Sequence, residues 1–195
     1  MHDFPFLCID SLSNQEKKCI MSMRQRPRGG NDMLAFTIPD TKYFMGLLFK
    51  SDTFDDFCFR QGEISAFSHI SIDGKRDMDY YEETDTEPWC SWAEIKPIVF
   101  QFIRGKKTPK NLKLVLSLST KDMASYENTA ALFWNILFRE NTLLCTISTT
   151  PATFTLDKID EQKWAEWVIA FCQKHNIGII KEGEKKNDTI ISTHF

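Results

Sequence analysis

The sequence lacks the short motifs that mark most catalytic and metal sites. It has no G-x-S-x-G, S-x-x-K or H-E-x-x-H pattern, so nothing indicates a serine nucleophile or a zinc protease. Its six cysteines, at positions 8, 19, 58, 90, 145 and 172, include no C-x-x-C pair. His69 and His175 have no second ligand at metal spacing and are interpreted as ordinary surface or core residues. We therefore expect no metal and no cofactor, and the interpretation leans away from an enzyme.

Long hydrophobic segments are lacking too. No apolar run is long enough to span a bilayer, and the N-terminus has no apolar core of a signal peptide. The cysteines lie mostly within apolar runs, which favours reduced core residues over disulfides. These features predict a cytoplasmic protein that does not act at a membrane.

Apolar and aromatic residues are plentiful. Hydrophobic residues make up 42% and aromatic residues 13% of the 195 residues, which argues against disorder and provides for one buried core. The formal charge of −3 offers no chain-wide attraction to nucleic acid or anionic lipid. Any binding of that kind must therefore be local.

Residues 1–32 differ from the rest of the chain. They show no sustained periodicity, and they end in the basic, glycine-containing run MRQRPRGGND. Codons for Gly29 and Gly30 can form a bacterial ribosome-binding sequence at the usual distance from Met33. The hypothesis is that Met33 is the biological start, that residues 1–32 precede the native protein or are disordered, and that 33–195 form a single domain.

The segment 91–118 predicts a helix, a turn and a strand. Ser91 and Glu94 have capping-box spacing, which sets the helix start. Pro97 predicts a kink or a restart, and Gly105 predicts the C-terminal end. Apolar residues on more than one side are typical of a helix buried between other elements. The strand LKLVLSL follows the turn.

The turn after this helix carries the only sizeable basic patch of the sequence, formed by Arg104, Lys106, Lys107, Lys110 and, on the strand, Lys113. It resembles the end of a phosphate-binding loop, but position 100 is Phe where that loop needs its first glycine. The helix also enters the turn by its C-terminus, which repels phosphate. The patch is a candidate site for an anion or nucleic acid, and a solvated loop is the competing interpretation.

Periodicity predicts the remaining elements. Strands are expected at 34–38, 57–59, 64–72, 75–81, 131–138, 142–148, 153–156 and 189–195. Turns are expected at Gln61-Gly62, Asp73-Gly74 and Glu140-Asn141. The acidic loop 77–87 lacks the spacing of a calcium site and is interpreted as flexible.

Two further helices are predicted. One is opened by Pro39-Asp40 and runs to about Lys50, with inward residues Tyr43, Phe44, Leu47 and Leu48. The other is capped by Asp157 or Asp160 and ends before Gly178, with one face formed by Trp164, Trp167, Val168, Phe171 and Cys172. Together the elements predict an α+β fold, a mostly antiparallel sheet with about three helices.

Four segments carry a resemblance: SDTFDDF (51–57), ISAFSHISIDGK (64–75), SWAEIKPIVFQFIRGKKTP (91–109) and TFTLDK (153–158). With the Trp-bearing helix that follows, the chain from about Met33 onward resembles an uncharacterised bacterial family defined as a domain of unknown function. Because that family has no established activity, the resemblance implies no functional residues.

The order of elements is similar to one repeat of the DNA sliding clamps, whose helices line a ring. This similarity implies a single clamp-like domain with an added C-terminal helix. A clamp subunit has two or three repeats, however, and a helix that faces DNA is basic on one side, whereas this central helix is apolar around most of its surface.

Three functions are compared. The first is a non-enzymatic binding or assembly domain for a protein partner or a second copy, with a partner surface formed by Ile98, Phe100, Trp164 and Trp167. The second adds nucleic acid at the basic turn, residues 104–113. The third, from another class, is a small-molecule enzyme with an anion site at that turn, which requires a concave pocket and a perturbed titratable group.

Overall fold

A computed structural model describes residues 34–81, 86–105, 107–154 and 157–181. The strands in these ranges are β1 (Ala35–Thr37), β2 (Cys58–Ser65), β3 (His69–Asp73), β4 (Asn111–Ser117), β5 (Thr129–Arg139), β6 (Thr142–Pro151) and β7 (Ile180–Lys181). The helices are α1 (Thr41–Lys50), α2 (Trp92–Ile103) and α3 (Ile159–Lys174), with 3-10 turns at Met78–Tyr80 and Asp122–Ser125. The predictions for residues 1–32, for residues 82–85 of the acidic loop and for the strand at 189–195 lie outside the described residues.

The strands form one antiparallel sheet in the order β3-β2-β4-β5-β6-β1-β7. Three helices and a seven-stranded antiparallel sheet in the described ranges confirm the predicted α+β class. β7 was not predicted, and it contributes only two residues at one edge of the sheet.

The helices cover one face of the sheet. Along β4 and β5, alternate residues are completely buried on that face: Leu112, Leu114, Leu116, Leu132, Trp134 and Ile136. Helix α2 reaches this face through Trp92 against Phe59, and α3 reaches it through Phe171 against Trp134. On the opposite face, Lys113 and Asn135 are only half-buried, whereas Val115 and Ser117 toward the end of β4 are buried. A sheet with one face packed against helices and one face largely open explains the alternation at Lys113 and Asn135.

Helix α2 begins at the predicted residue, but it differs from the prediction at Pro97 and at its C-terminal end. The capping box of Ser91 and Glu94 is confirmed. The helix runs through Pro97 as one element, because Trp92, Ile95 and Val99 anchor both sides of the proline in the core. Its C-cap is Arg104, whose backbone N–H donates to the Phe100 carbonyl at 3.0 Å, so Gly105 is not the cap residue.

Two predicted turns are wrong, because the glycines serve close packing instead. β2 continues through Gln61-Gly62, and a Cβ on Gly62 would stand 3.0 Å from the Phe59 ring. The β2–β3 hairpin turns at residues 66–68, so the single strand expected at 64–72 is in fact two strands. Asp73-Gly74 ends β3 without forming a hairpin, and residues 75–81 contain a 3-10 turn and an isolated bridge from Lys75 to Trp89 instead of a strand.

The second half of the chain follows the predictions more closely. β5 and β6 form the expected hairpin, with Glu140 and Asn141 both at positive φ, 51° and 59°. Helix α3 ends at Lys174 with His175 as its C-cap, and Asn176 follows at a φ of 53°, ahead of the predicted Gly178. The N–H of Ile177 donates to the Cys172 carbonyl at 2.8 Å, which is the Schellman pattern with asparagine in the glycine position.

Two details of the helices and strands differ from prediction. Tyr43 of α1 is 41% exposed instead of inward, and its hydroxyl donates to the His175 carbonyl at 3.0 Å. Of the strand predicted at 153–156, Thr153 and Phe154 are not in a strand, and residues 155 and 156 lie outside the described ranges.

Candidate functional site

A β-bulge in β2 positions the most structured polar side chain of the open sheet face. Phe59 pairs with Leu116 and Gln61 pairs with Val115, so Arg60 is an extra residue in the ladder. A bulge of this kind bends the strand and redirects a side chain. Arg60 thereby extends over the open face, toward Ser117 of β4.

Gly74 and Cys90 form backbone hydrogen bonds with each other and with residues around the bulge in β2. The Gly74 N–H donates to the Arg60 carbonyl at 2.9 Å, and the Cys90 N–H donates to the Gly74 carbonyl at 2.9 Å. The Phe59 N–H in turn donates to the Cys90 carbonyl at 2.8 Å. A Cβ on Gly74 would lie 1.9 Å from the Phe59 carbonyl oxygen, so only glycine fits here. This arrangement brings Trp89 onto Arg60.

The Arg60 guanidinium is held on three sides. Its carbon lies 4.0 Å from the ring centroid of Trp89 and 5.5 Å from that of Phe133. Its Nε donates to the Ser117 hydroxyl at 2.8 Å, and Ser117 is completely buried. Within the described ranges, the two Nη atoms have no hydrogen-bond acceptor. Burial lowers the pKa of Arg60, and the charges of Cys58 and Glu87 oppose that change, but a guanidinium remains a cation at neutral pH.

Arg60 lies in the wall of a cleft of about 400 Å³. The cleft is formed between the sheet, the segment before α2 and the turn after β4, by Arg60, Glu87, Pro88, Trp89, Leu118, Thr120, Met123, Ala124, Thr129 and Ala130. Six of these ten side chains are apolar or aromatic, and the other four are polar or charged. A concave surface that combines apolar side chains with fixed polar groups can serve as a ligand site. We call this site the Arg60 cleft.

Glu87 is the other titratable group that lines the Arg60 cleft, and the buried Cys58 thiol lies close to Glu87. Glu87 accepts a hydrogen bond from the Thr120 backbone N–H at 2.9 Å, which holds the turn after β4 against the segment before α2. Burial and the neighbouring Glu87 carboxylate raise the pKa of the Cys58 thiol from its ordinary 9.0 to about 12. Cys58 is therefore protonated at neutral pH, and a protonated thiol is a poor nucleophile.

The predicted basic turn lies at the other end of the same strands. Arg104, Lys107 and Lys110 are exposed, and none of them forms an ion pair with another described residue. Lys113 differs from them, because its Nζ lies 3.7 Å from the Glu63 carboxylate. Lys106 lies outside the described residues. Three of the five predicted cations are therefore exposed and form no ion pair with another described residue.

The predicted partner surface is only partly exposed. Ile98 is 59% exposed and Trp167 is 37% exposed, on α2 and α3 respectively. Phe100 is half-buried against Phe49, at 6.1 Å between ring centroids. Trp164 is completely buried, and its indole N–H donates to the Phe133 carbonyl at 3.3 Å. Trp164 therefore belongs to the core, while the partner surface at the other three residues stays a prediction.

The described part of the chain has neither a metal-binding cluster nor a membrane-spanning helix. No group of three or more His, Cys, Asp or Glu side chains there is placed to hold a metal ion. No helix there is both long and apolar enough to cross a membrane. Cys58, Cys90, Cys145 and Cys172 are all unpaired, and burial raises the pKa of Cys145 and Cys172 to about 12.

These features define a two-layer α+β domain with a helix-covered sheet face and an open face that carries a cleft at one end. Residues 47–179 match the family of unknown function DUF5721. This match spans more than half of the sequence, so the chain belongs to that family. No curated protein and no solved structure matches the chain. The predicted likeness to a sliding-clamp repeat stays a prediction.

Proposed function

We propose that this protein is a non-enzymatic binding domain and that the Arg60 cleft receives an anionic group of its ligand. One observation supports this most directly. The guanidinium is fixed by Ser117, Trp89 and Phe133, while both Nη atoms lack an acceptor among the described residues. The charged group is thus held in place before any ligand arrives.

The geometry suits a carboxylate or a phosphate. Two Nη groups in the plane of a guanidinium can donate in parallel to two oxygens of one anion. Because the side chain is already ordered, little rotamer entropy is lost on binding. The Trp89 ring covers one side of the guanidinium and shields that side from water, which strengthens a charge-assisted hydrogen bond.

The protonation of Cys58 and the hydrogen bond to Glu87 favour binding over catalysis at this cleft. The Cys58 thiol, with its pKa raised to about 12, is protonated, and Glu87 is engaged by the Thr120 N–H. An enzyme with its anion site at the basic turn would need a concave pocket there, whereas Arg104, Lys107 and Lys110 of that turn are exposed. The concave site lies at the opposite end of β2 and β4.

NMR titration tests the proposal. Inorganic phosphate, citrate and a short polyglutamate peptide would be added to the full chain, following the indole N–H of Trp89 and the amide of Thr120. We expect saturable shifts at these two groups with at least one probe, at a Kd of roughly millimolar or tighter. Arg60→Met should abolish them. Arg139→Met, which removes an exposed arginine at the far end of β5, should leave them unchanged.

Two results would overturn this proposal. One is the absence of saturable shifts with all three probes. The other is equal shifts in the Arg60→Met and Arg139→Met variants, which would mean that the Arg60 stack only fastens the segment before α2 to the sheet. Far-UV circular dichroism of both variants confirms that the fold is retained.

A second candidate function is nucleic-acid binding at the basic turn. One observation favours it beyond the charge of the turn. The ring of Phe67, 83% exposed, lies 4.7 Å from the ring of Phe102, two residues before Arg104. The three unpaired cations are therefore next to an exposed aromatic surface.

A further inference from the structure

We infer that the end of the domain formed by Phe67, Phe102, Arg104, Lys107 and Lys110 binds single-stranded nucleic acid, with a base stacked on Phe67. This inference rests on the second candidate function and specifies its ligand. We call these five residues the aromatic-basic end.

Phe67 is an exposed aromatic side chain with a rigid support. It lies in the β2–β3 turn, which is closed by a hydrogen bond of 2.9 Å from the Ala66 N–H to the Ser68 carbonyl. One side of the ring contacts Phe102, whose ring is tilted by 37° at 4.7 Å, and most of the remaining surface faces solvent. A supported ring with a free face is the arrangement on which unpaired bases stack.

The cations are attached to the same hairpin. The Lys110 N–H donates to the Ser65 carbonyl at 2.8 Å, immediately before the hairpin turn. Asn111 then pairs with Ser65 in the sheet. Arg104 is the C-cap of α2, two residues after Phe102. The turn and the ring are therefore parts of one surface, although they are far apart in the sequence.

The charges of this surface are available for phosphate. Arg104, Lys107 and Lys110 have no ion pair among the described residues, whereas Lys113, on the adjoining strand, is paired with Glu63. The full sequence is acidic, with a formal charge of −3, so this cluster is a local exception. Unpaired cations beside a stacking ring match the alternating phosphates and bases of a single strand.

A single strand fits this surface better than the other anionic partners. In a duplex the base faces are stacked inside, so Phe67 could not reach them. Duplex binding also usually places the side of a helix or a strand ribbon in a groove, whereas α2 contributes only its last turn and its C-cap to this surface. An acidic peptide would use the cations but leave the aromatic face of Phe67 without a partner.

Fluorescence anisotropy tests the inference. The full chain would be titrated at low salt with a labelled oligothymidylate of about 16 nucleotides, the upper site size of a single-strand-binding fold, and with a duplex of the same length. We expect tighter binding of the single strand, and we expect Phe67→Ala to weaken it roughly tenfold. Phe67→Trp should retain the affinity. Phe154→Ala, which removes a ring that is 92% exposed elsewhere, should change nothing.

Salt dependence reports the cations separately. The slope of log K against log salt should be about −2 for three phosphate contacts on a single strand, and Lys107→Gln should reduce its magnitude by about 0.7. Competition by the polyglutamate peptide as effective as that by unlabelled oligothymidylate would assign the site to acidic peptides and overturn the inference.

Two further outcomes distinguish base stacking on Phe67 from nucleic-acid binding at the basic turn. Equal binding of duplex and single strand, with no effect of Phe67→Ala, would overturn base stacking and leave nucleic-acid binding at the turn in place. Absence of binding to either oligonucleotide at low salt would overturn both.

Discussion

The Arg60 cleft and the aromatic-basic end lie at opposite ends of β2 and β4, and they hold positive charge in opposite ways. The ends of β4, Asn111 and Ser117, are roughly 20 Å apart at about 3.4 Å per residue. In the cleft, one cation is stacked, hydrogen-bonded and close to a carboxylate. At the other end, three cations are exposed and form no ion pair with another described residue.

The contrast teaches how packing determines what a charge can do. Arg60 has lost most of its freedom to the fold, so it contributes both to stability and to the shape of a site. The lysines of the turn keep their rotamer freedom and stay hydrated. Exposed charges of this kind contribute little to stability, and salt screens their interactions with other charges. The predictions below compare the two ends directly.

The largest expected difference in unfolding free energy is between substitutions of Gly74 and of Gly105. Gly74→Ala places a methyl group 1.9 Å from the Phe59 carbonyl oxygen, so the backbone that forms the bulge must move. We expect the free energy of unfolding to fall by about 3 kcal/mol or more, the upper range for overpacking. Gly105→Ala at the other end meets no atom within 4 Å and should change it by less than about 0.5 kcal/mol. Urea denaturation measures both, and equal effects would contradict the close approach at Gly74.

A smaller difference is expected for the arginines. Arg60→Met removes the stacked cation and the hydrogen bond to buried Ser117, which together should lower the free energy of unfolding by about 2 kcal/mol. Arg104→Met removes an exposed arginine at a helix C-terminus, and we expect a loss of about 0.5 kcal/mol or less.

A double-mutant cycle isolates the stack itself. Arg60→Met combined with Trp89→Leu should show a coupling energy of about 1 kcal/mol or more in urea denaturation. Additive effects of the two substitutions would mean that Arg60 and Trp89 stabilise the domain independently.

The last expected effect is confined to alkaline pH and is a change in the pH dependence of stability at the cleft. Because the pKa of Cys58 is raised from 9.0 to about 12, the folded state keeps a proton that the unfolded chain releases in this range. The stabilisation is complete below pH 9 and is lost as the pH rises toward 12. Cys58→Ala should flatten the decline of the unfolding free energy by up to about 1.4 kcal/mol per pH unit.

Cys145 provides the reference for this measurement. Burial raises its pKa to about 12 as well, so Cys145→Ala should flatten the decline similarly. A decline that Cys145→Ala flattens and Cys58→Ala does not would show that Cys58 is more hydrated than the structure indicates.

Several parts of the fold followed from local patterns. The capping box of Ser91, the hairpin at Glu140-Asn141 and the buried face of α3 at Trp164, Val168 and Cys172 were all predictable. In each case the relevant residues are neighbours in sequence and their physics is local. The basic turn was predictable for the same reason, since its charges are consecutive.

The Arg60 cleft was not predictable, because no local signal marks it. Arg60 is one arginine in a strand, and Trp89, Ser117 and Phe133 are between 29 and 73 positions away in the chain. Gly74 was interpreted as a turn residue because glycine after aspartate favours a hairpin, whereas its actual role is to admit the Phe59 carbonyl. The exposed Phe67 was likewise assigned to a strand interior, since the hairpin turn around it has no typical turn dipeptide.

By itself the sequence determined an α+β domain with about three helices, a mostly antiparallel sheet and one cluster of positive charge, because periodicity, caps and charge runs are properties of adjacent residues. Only the tertiary structure decided which face of the sheet stays open, which arginine is stacked and which aromatic ring stands beside the lysines. Those choices depend on strand register and on the bulge at Arg60, and both are set by contacts between residues that are distant in the chain.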